Sequence, residues 1–245
     1  MRVLICGAAG RVGRILTRAL GQAHDLILGD VCPIDDPRYI ELDVRDMGQT
    51  QEAVADCDAV VHLSIARLED FGNVATPEYA DATFDVHVKG LYHVLSAAAM
   101  CGGKKVVYAS SVSAVAGYPK HVMIGSQHRH EGGGVYGITK GFGEELCRML
   151  HQSSGLPVII LRLGHVWIAE IGGKRGHIAS HYLVHESDVA SAFDCALQCD
   201  EPTYALVHIV GDNAGRRWDL EAAKALLGWR PRWRFSDDGE PEKIQ

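Results

Sequence analysis

The chain alternates between short unbroken apolar runs and longer segments whose apolar residues recur every three or four positions. The first run, RVLICG at 2–7, has no polar residue after Arg2, as expected of a strand buried on both faces. RVGRILTRALGQAH follows at 11–24, with Val12, Ile15, Leu16, Ala19 and Leu20 at helical spacing. DLILGD (25–30) and YIELDV (39–44) read as the second and third strands, QTQEAVADC (49–57) as a short helix and DAVVHLS (58–64) as the fourth strand. EYADATFDVHVKGLYHVLSAAAMCG (78–102) reads as one long helix ending on glycine. KKVVYASS (104–111) is the fifth strand, the segment around Tyr136 a helix to about His151, and PVIILRLG (157–164) the sixth strand. Beyond residue 165 the pattern loosens, with HESDVASAFDCALQ (185–198) helical and YALVHIVG (204–211) a strand.

Strands alternating with helices predict an α/β fold whose mostly parallel sheet is covered on both faces through right-handed crossovers. A chain of 245 residues is long enough for one substantial core with a small appended lobe, but short for two full domains. Residues 1–165 carry the regular alternation and 166–245 form the lobe, with one strand and one helix returning to the core. In such sheets a ligand sits beyond the carboxyl ends of the strands, so the residues just after each strand are the ones to inspect.

Composition narrows the function classes. A formal charge of −7 offers no basic surplus to displace counterions from nucleic acid. No apolar run approaches the roughly 20 residues of a membrane span. The N-terminal run meets glycine at once and lacks a cleavage pattern, so no leader is expected. Seven scattered cysteines (Cys6, Cys32, Cys57, Cys101, Cys147, Cys195 and Cys199) read as thiols of a reducing compartment, and the expected location is the cytoplasm.

Directly between the first strand and its helix stands CGAAGRVG, with Gly7, Gly10 and Gly13 spaced three apart. Glycines there permit a tight turn and let the backbone approach a pyrophosphate, whose charge the helix N-terminus favours. The expected contacts of this turn are Gly7, Gly10, Arg11, Val12 and Gly13. Asp30 ends the second strand 23 residues after Gly7, where a carboxylate accepts hydrogen bonds from ribose hydroxyls and repels a 2′-phosphate. The cofactor so predicted is NAD. Arg11 is the opposing feature, placed either to meet a 2′-phosphate or to stand near the pyrophosphate. Asp43 and Val44 follow the third strand, the first placed to reach an adenine amino group and the second to pack on the ring. Leu63 and Ser64, after the fourth strand, line the cofactor's path.

VYGITKG (135–141) sets Tyr136 four residues before Lys140, on one helix face. An ammonium so placed stabilises a phenolate and lowers the phenol's pKa, and a positioned phenol exchanges a proton with a substrate oxygen. The fifth strand supplies Ser110, Ser111 and Ser113 at the same sheet edge, where a hydroxyl can steady charge developing on that oxygen.

Together GAAGRVG, DAVVHLS, VKGLYHVLSAA, VVYASS, YGITK, ILRLG and LGWRP resemble the extended short-chain dehydrogenase/reductase family of NAD-dependent epimerases, dehydratases and sugar dehydrogenases. Within it, GAAGRVGRIL, VKGLYHVL, YGITKGFGEELCRM and LGWRPRW are most similar to the uronate dehydrogenases. The resemblance implies a Rossmann-type doubly wound sheet and a small C-terminal substrate lobe. It also implies Tyr136 as acid/base, Lys140 as its partner, which also bonds the nicotinamide ribose, and Ser111 as the third catalytic residue, with Ser113 as the alternative serine. Two positions depart from the pattern. His87 stands where the family has asparagine, and Val112 and Ser113 stand where uronate dehydrogenases offer an Asn-His pair toward the sugar acid.

The expected activity is hydride transfer between NAD and a hydroxyl-bearing carbon of a sugar or sugar acid. The alternatives are a nucleotide-sugar epimerase or dehydratase, which the short lobe disfavours, and a non-catalytic cofactor sensor, which an intact Tyr136, Lys140 and Ser111 speak against. Arg67, Ser113, His165 and Arg175 (with Lys174) are candidate substrate contacts, the basic ones being equally suited to solvated loops. The 13 histidines include the run His128-Arg129-His130, but no H-E-x-x-H or Cys-x-x-Cys spacing accompanies them, so no metal is expected. The resemblance also implies a homodimer through the long helices flanking the fifth strand.

Overall fold

The computed structural model describes residues 1–67, 70, 72, 74, 76–171 and 179–244. Seven parallel strands form the central sheet in the order β3-β2-β1-β4-β5-β6-β9. They are β1 (Arg2–Cys6), β2 (Asp25–Asp30), β3 (Tyr39–Glu41), β4 (Ala59–His62), β5 (Lys105–Ser111), β6 (Val158–Leu163) and β9 (Tyr204–Ile209). Chain direction across the sheet reverses between β1 and β4, which leaves a crevice at their carboxyl ends. Val3, Leu4, Ile5 and Cys6 are all fully buried, because both faces of β1 are covered.

One face carries α1 (Arg11–Leu20), α6 (Glu186–Gln198) and α7 (Glu221–Leu227), packed over Ile5, Leu16, Val107, Leu161 and Phe193. The other carries α2 (Met47–Ala55), α4 (Leu91–Met100) and α5 (Gly134–Ser154), packed over Leu4, Val60, Leu95, Tyr108 and Ile160. Caps fix the helix starts: the Asp46 carboxylate accepts from Gly48 N and Gln49 N, and Thr76 Oγ1 from Tyr79 N ahead of Pro77.

The long helix expected over 78–102 is three pieces: α3 (Pro77–Phe84), a π-helical turn (Asp85–Gly90) and α4. The wider turn interrupts the helical ladder at His87 and Gly90, and Gly90 lies close against Val44: a Cβ on it would come within 2.7 Å of that side chain.

A second small sheet pairs β7 (His165–Trp167) with β8 (Leu183–His185), and β10 (Trp233–Phe235) pairs with β11 (Pro241–Lys243). The tail is anchored to α6 by one buried carboxylate, that of Asp188, which accepts from Arg232 N and Trp233 N, while Trp229 Nε1 donates to Asp188 O. That set of bonds is the physical content of the LGWRPRW motif.

Candidate active site

The turn after β1 is shaped by contacts that exclude side chains. Gly7 has φ +87°, and a Cβ on it would lie 2.9 Å from Ser64 N and 3.0 Å from the Leu63 carbonyl carbon. A Cβ on Gly13 would lie 2.5 Å from both Gly7 O and Ala8 O. The turn therefore packs directly on the end of β4. Gly10 caps α1 without a side-chain hydrogen bond, and no acidic residue stands in the helix's first turn. The helix start is therefore left without a side-chain cap, at an end where its dipole favours an anion. Val12 packs half-buried against the core and Arg11 is exposed.

Asp30 closes this cradle. Its Oδ2 accepts from Ala9 N and its Oδ1 from Cys32 N, both at 2.9 Å, so the carboxylate is fixed between the glycine turn and the end of β2. Asp43 is gripped by the fork of Arg45, Nε to Oδ1 at 2.9 Å and Nη2 to Oδ2 at 2.7 Å, which lowers its pKa. Val44 departs from expectation: its side chain is buried beneath Gly90 in the core, drawn there by apolar burial, and so is not presented as open surface for a ring.

At the neighbouring strand ends the catalytic candidates meet. Ser111 ends β5, and its Oγ accepts from Ser113 N at 3.1 Å and bonds Ser113 Oγ at 3.2 Å, starting the 3₁₀ turn Val112–Val115. The same hydroxyl lies near the half-buried Tyr136 and favours the charged form of the phenol. Of the two serines, then, Ser111 addresses the phenol and Ser113 supports Ser111. Lys140 is buried one turn beyond Tyr136, its Nζ donating to Ala109 O at 2.8 Å and lying 5.8 Å from the Tyr136 ring centroid.

The expected lowering of the phenol's pKa is not found. Burial raises the Tyr136 pKa, outweighing the opposing effect of Ser111, and the charge of nearby Tyr79 adds to the rise. Burial also draws the Lys140 ammonium down to about 7, against the opposing pull of Glu144. Helical spacing delivered the pair to one face, but desolvation set the proton affinities.

His87, at the departing position, is buried against the edge of the Tyr136 ring, with centroids 5.5 Å apart. Its Nε2 accepts from Ala66 N at 3.3 Å, so its proton sits on Nδ1, which donates to Thr139 Oγ1 at 2.9 Å. Burial and the charge of Lys140 keep the ring neutral.

The remaining candidates fall in different places. The exposed Arg67 pairs with Asp70 at 2.8 Å and reaches Cys32 Sγ at 3.6 Å, just past Asp30. His165 opens β7, and burial together with the charge of Arg11 lowers its pKa. Arg175 and Lys174 lie outside the described residues. The histidine-rich run has structural partners: Gly125 N donates to His128 Nδ1, and His130 pairs with Glu144 and Glu145. Among the described residues no three His, Cys, Asp or Glu side chains gather as a metal site, and no helix is long and apolar enough to cross a membrane. Sequence reasoning missed the layer behind the serines, where the Glu144 carboxylate accepts from both Ser110 and Arg162.

Comparison with known proteins agrees with this geometry. Over 236 residues the chain is 27% identical to a uronate dehydrogenase of Agrobacterium fabrum, covering 94% of this chain and 84% of that protein. It is 26% identical over 263 residues to an NAD-dependent glucose-6-phosphate dehydrogenase of Haloferax volcanii, covering 98% and 97%. Its fold superposes with TM-score 0.81 on a uronate dehydrogenase variant from Agrobacterium tumefaciens solved in complex with NAD, at 26% identity over 94% of this chain and 84% of that one. Residues 3–183, from β1 through the start of β8, match the model of the NAD dependent epimerase/dehydratase family. A glycine cradle closed by Asp30, with a tyrosine, a lysine and a serine gathered at the adjoining strand ends, thus has its explanation in descent: the chain belongs to the NAD-dependent epimerase/dehydratase family.

Proposed function

We propose that this chain is an NAD-dependent dehydrogenase that oxidises a hydroxyl-bearing carbon of a sugar acid or related sugar. The observation that carries this reading is the meeting of Ser111 and Tyr136, with Lys140 one helical turn on, at the sheet edge that also bears the Gly7 turn. The same residues fit the cofactor. The N-terminus of α1 would hold its pyrophosphate, and Asp30, already oriented by Ala9 N and Cys32 N, would accept hydrogen bonds from its adenosine ribose hydroxyls. Bound NAD supplies the hydride acceptor.

Ser111 orients the substrate oxygen by hydrogen bonding, and Tyr136 takes the hydroxyl proton as the carbonyl forms. A phenol whose pKa is raised rests protonated at neutral pH, ready to return a proton to a carbonyl. To take one up in the oxidative direction the phenol first gives its own proton to solvent, and the positive charge of Lys140 stabilises the phenolate that then accepts the hydroxyl proton. The glycine cradle and the sugar-acid relatives support residues 1–165 as the cofactor half and 166–245 as the substrate lobe.

Exposed apolar side chains support a homodimer. Phe84, Tyr92, Ile138, Phe142 and Met149 all stand exposed on α3, α4 and α5, with the Phe84 and Phe142 rings 6.2 Å apart. Seven unpaired cysteines support a cytoplasmic location.

Incubation with NAD and a panel of uronic acids, aldose 6-phosphates and neutral aldoses tests the reading. NADH formation with a sugar acid supports it. An isomerised sugar without net NADH would make the protein an epimerase, and NAD binding with no turnover would make it a sensor.

A further inference from the structure

Lys140 carries its charge in an unusual setting. It is 2% exposed, and among the described residues its ammonium has one hydrogen bond, to Ala109 O, and no ion pair. The titratable groups facing it are His62 from β4, Tyr108 from β5, His87 from the π turn, and Tyr136, Glu144 and Cys147 from α5. Both histidines are neutral, and burial keeps the Cys147 thiol and the Tyr108 phenol uncharged. Glu144 is the anion of the group, but its oxygens are taken by two bonds from Arg162 and by Ser110, with His130 adding a contact at 3.3 Å.

Tyr108 supplies what is missing. Its ring lies with its centroid 5.0 Å from Lys140 Nζ, nearer than the Tyr136 ring at 5.8 Å. The ring is also stacked with His62, at 6.0 Å between centroids and 26° between planes. Strand register makes this stack, since His62 and Tyr108 are direct partners in the β4–β5 ladder. The Tyr108 hydroxyl is buried with no hydrogen-bond partner, and it occupies space that only a glycine leaves: a Cβ on Gly143 would lie 2.4 Å from it. A buried hydroxyl without a partner costs stability, so the hydroxyl is not what Tyr108 contributes. Its ring is, and a desolvated ring face near an ammonium is where cation–π attraction is largest.

We infer that Tyr108 is a positioning residue for the reaction proposed above: its ring face, braced by His62, keeps Lys140 cationic and seated against Ala109 O beside Tyr136. Burial draws the ammonium toward its neutral form, and the ring opposes that. The assignment rests on the dehydrogenase reading only for its catalytic consequence. The effect on Lys140 itself is separate.

The test is a pH titration of the Lys140 Cε signal by NMR in lysine-labelled full-length protein, paired with the pH profile of turnover. In Tyr108→Phe both should match the wild type, because the ring remains. In Tyr108→Leu the Lys140 midpoint should fall by about one pH unit, a roughly tenfold loss of charged form at a given pH, and the alkaline limb of turnover should move with it. A shape-preserving series, with phenylalanine at position 108 carrying none to three ring fluorines, covers the case in which Tyr108→Leu fails to fold. A stepwise fall in the Lys140 midpoint is expected as the ring face is drained of charge. A flat series overturns the role of Tyr108, whatever the activity. A wild type that reduces no NAD with any sugar overturns the dehydrogenase reading, and the NMR series still decides Tyr108.

Discussion

Glu144 and Arg162 form a two-bond pair, Nε to Oε1 at 2.9 Å and Nη2 to Oε2 at 2.6 Å, with both side chains almost wholly buried behind Ser110 and Ser111. Arg162 also meets His208 Nε2 at 3.3 Å, and Ser110 donates to Glu144 Oε1. These bonds hold the Glu144 carboxyl down at about 2 despite burial, the largest influence, which pushes the other way. Removing one partner would leave the other charge buried and uncompensated. Glu144→Leu should therefore lower unfolding stability by about 3–5 kcal/mol, read from urea titrations. A loss under about 1 kcal/mol would mean that water reaches Arg162 and the pair is not structural.

Tyr136→Phe removes the proton-handling oxygen and leaves the ring against His87. Turnover should fall by about 10²–10⁴-fold, with NAD affinity by fluorescence quenching within a few-fold of wild type. Ser111→Ala should cost about 10²-fold or more, and Ser113→Ala distinctly less, because Ser111 acts on the Tyr136 phenol and Ser113 only braces Ser111. Equal losses in the two serine variants would remove that distinction.

Asp30 separates the two nicotinamide cofactors by charge. Asp30→Asn keeps an oxygen for Ala9 N but removes the negative charge that opposes a 2′-phosphate. NAD affinity should weaken by roughly tenfold and the preference for NAD over NADP should narrow, as measured by calorimetry with each cofactor. An unchanged preference would put cofactor selection elsewhere.

Much of this was open to reading because it is local. Unbroken apolar runs gave the strands, the glycine spacing gave the turn, and the i, i+4 spacing brought Tyr136 and Lys140 together. What escaped depends on partners distant in sequence. The 78–102 segment keeps an apolar pattern across the π turn, so nothing in its spacing marks the break at Asp85–Gly90. Glu144 and Arg162 stand 18 residues apart on α5 and β6, and His62 meets Tyr108 only once β4 and β5 pair. Val44 sits beside Asp43 at a strand end, but the close approach of Gly90 claims its side chain for the core. The direction of the Tyr136 shift also depended on burial, which spacing does not report.

The exposed stripe on α3, α4 and α5 predicts a concentration-dependent assembly. Phe142 belongs to it, half exposed and beside Phe84. Phe142→Asp should convert a dimer into a monomer in sedimentation experiments, since burying an unpaired carboxylate in an apolar interface is strongly unfavourable. A wild type that is monomeric at every concentration would leave the stripe without this role.

Three buried histidines set the pH dependence of stability. Burial draws His62 down to about 3, His208 to about 4 and His87 well below its ordinary value. In the unfolded chain each takes up a proton near pH 6.5. Between about pH 6 and pH 4 the unfolded state therefore holds about three more protons than the folded state, and stability falls as pH falls, by roughly 4 kcal/mol per pH unit at most. Glu144 adds to the loss at lower pH, because a depressed carboxyl stabilises the fold above its unfolded value and loses that contribution as pH drops toward 2. His130 acts in the opposite sense: its pKa is raised by Glu144, so its contribution is complete below pH 6.5 and fades as pH rises through the folded value. The urea midpoint should accordingly drop steeply between pH 6 and 5. His208→Gln should make that slope shallower by about a third, since it removes one of the three differential protons. A midpoint that stayed level from pH 7 to pH 5 would mean that these imidazoles take up protons within the folded core, and the neutral surroundings assigned to Lys140 would then be wrong as well.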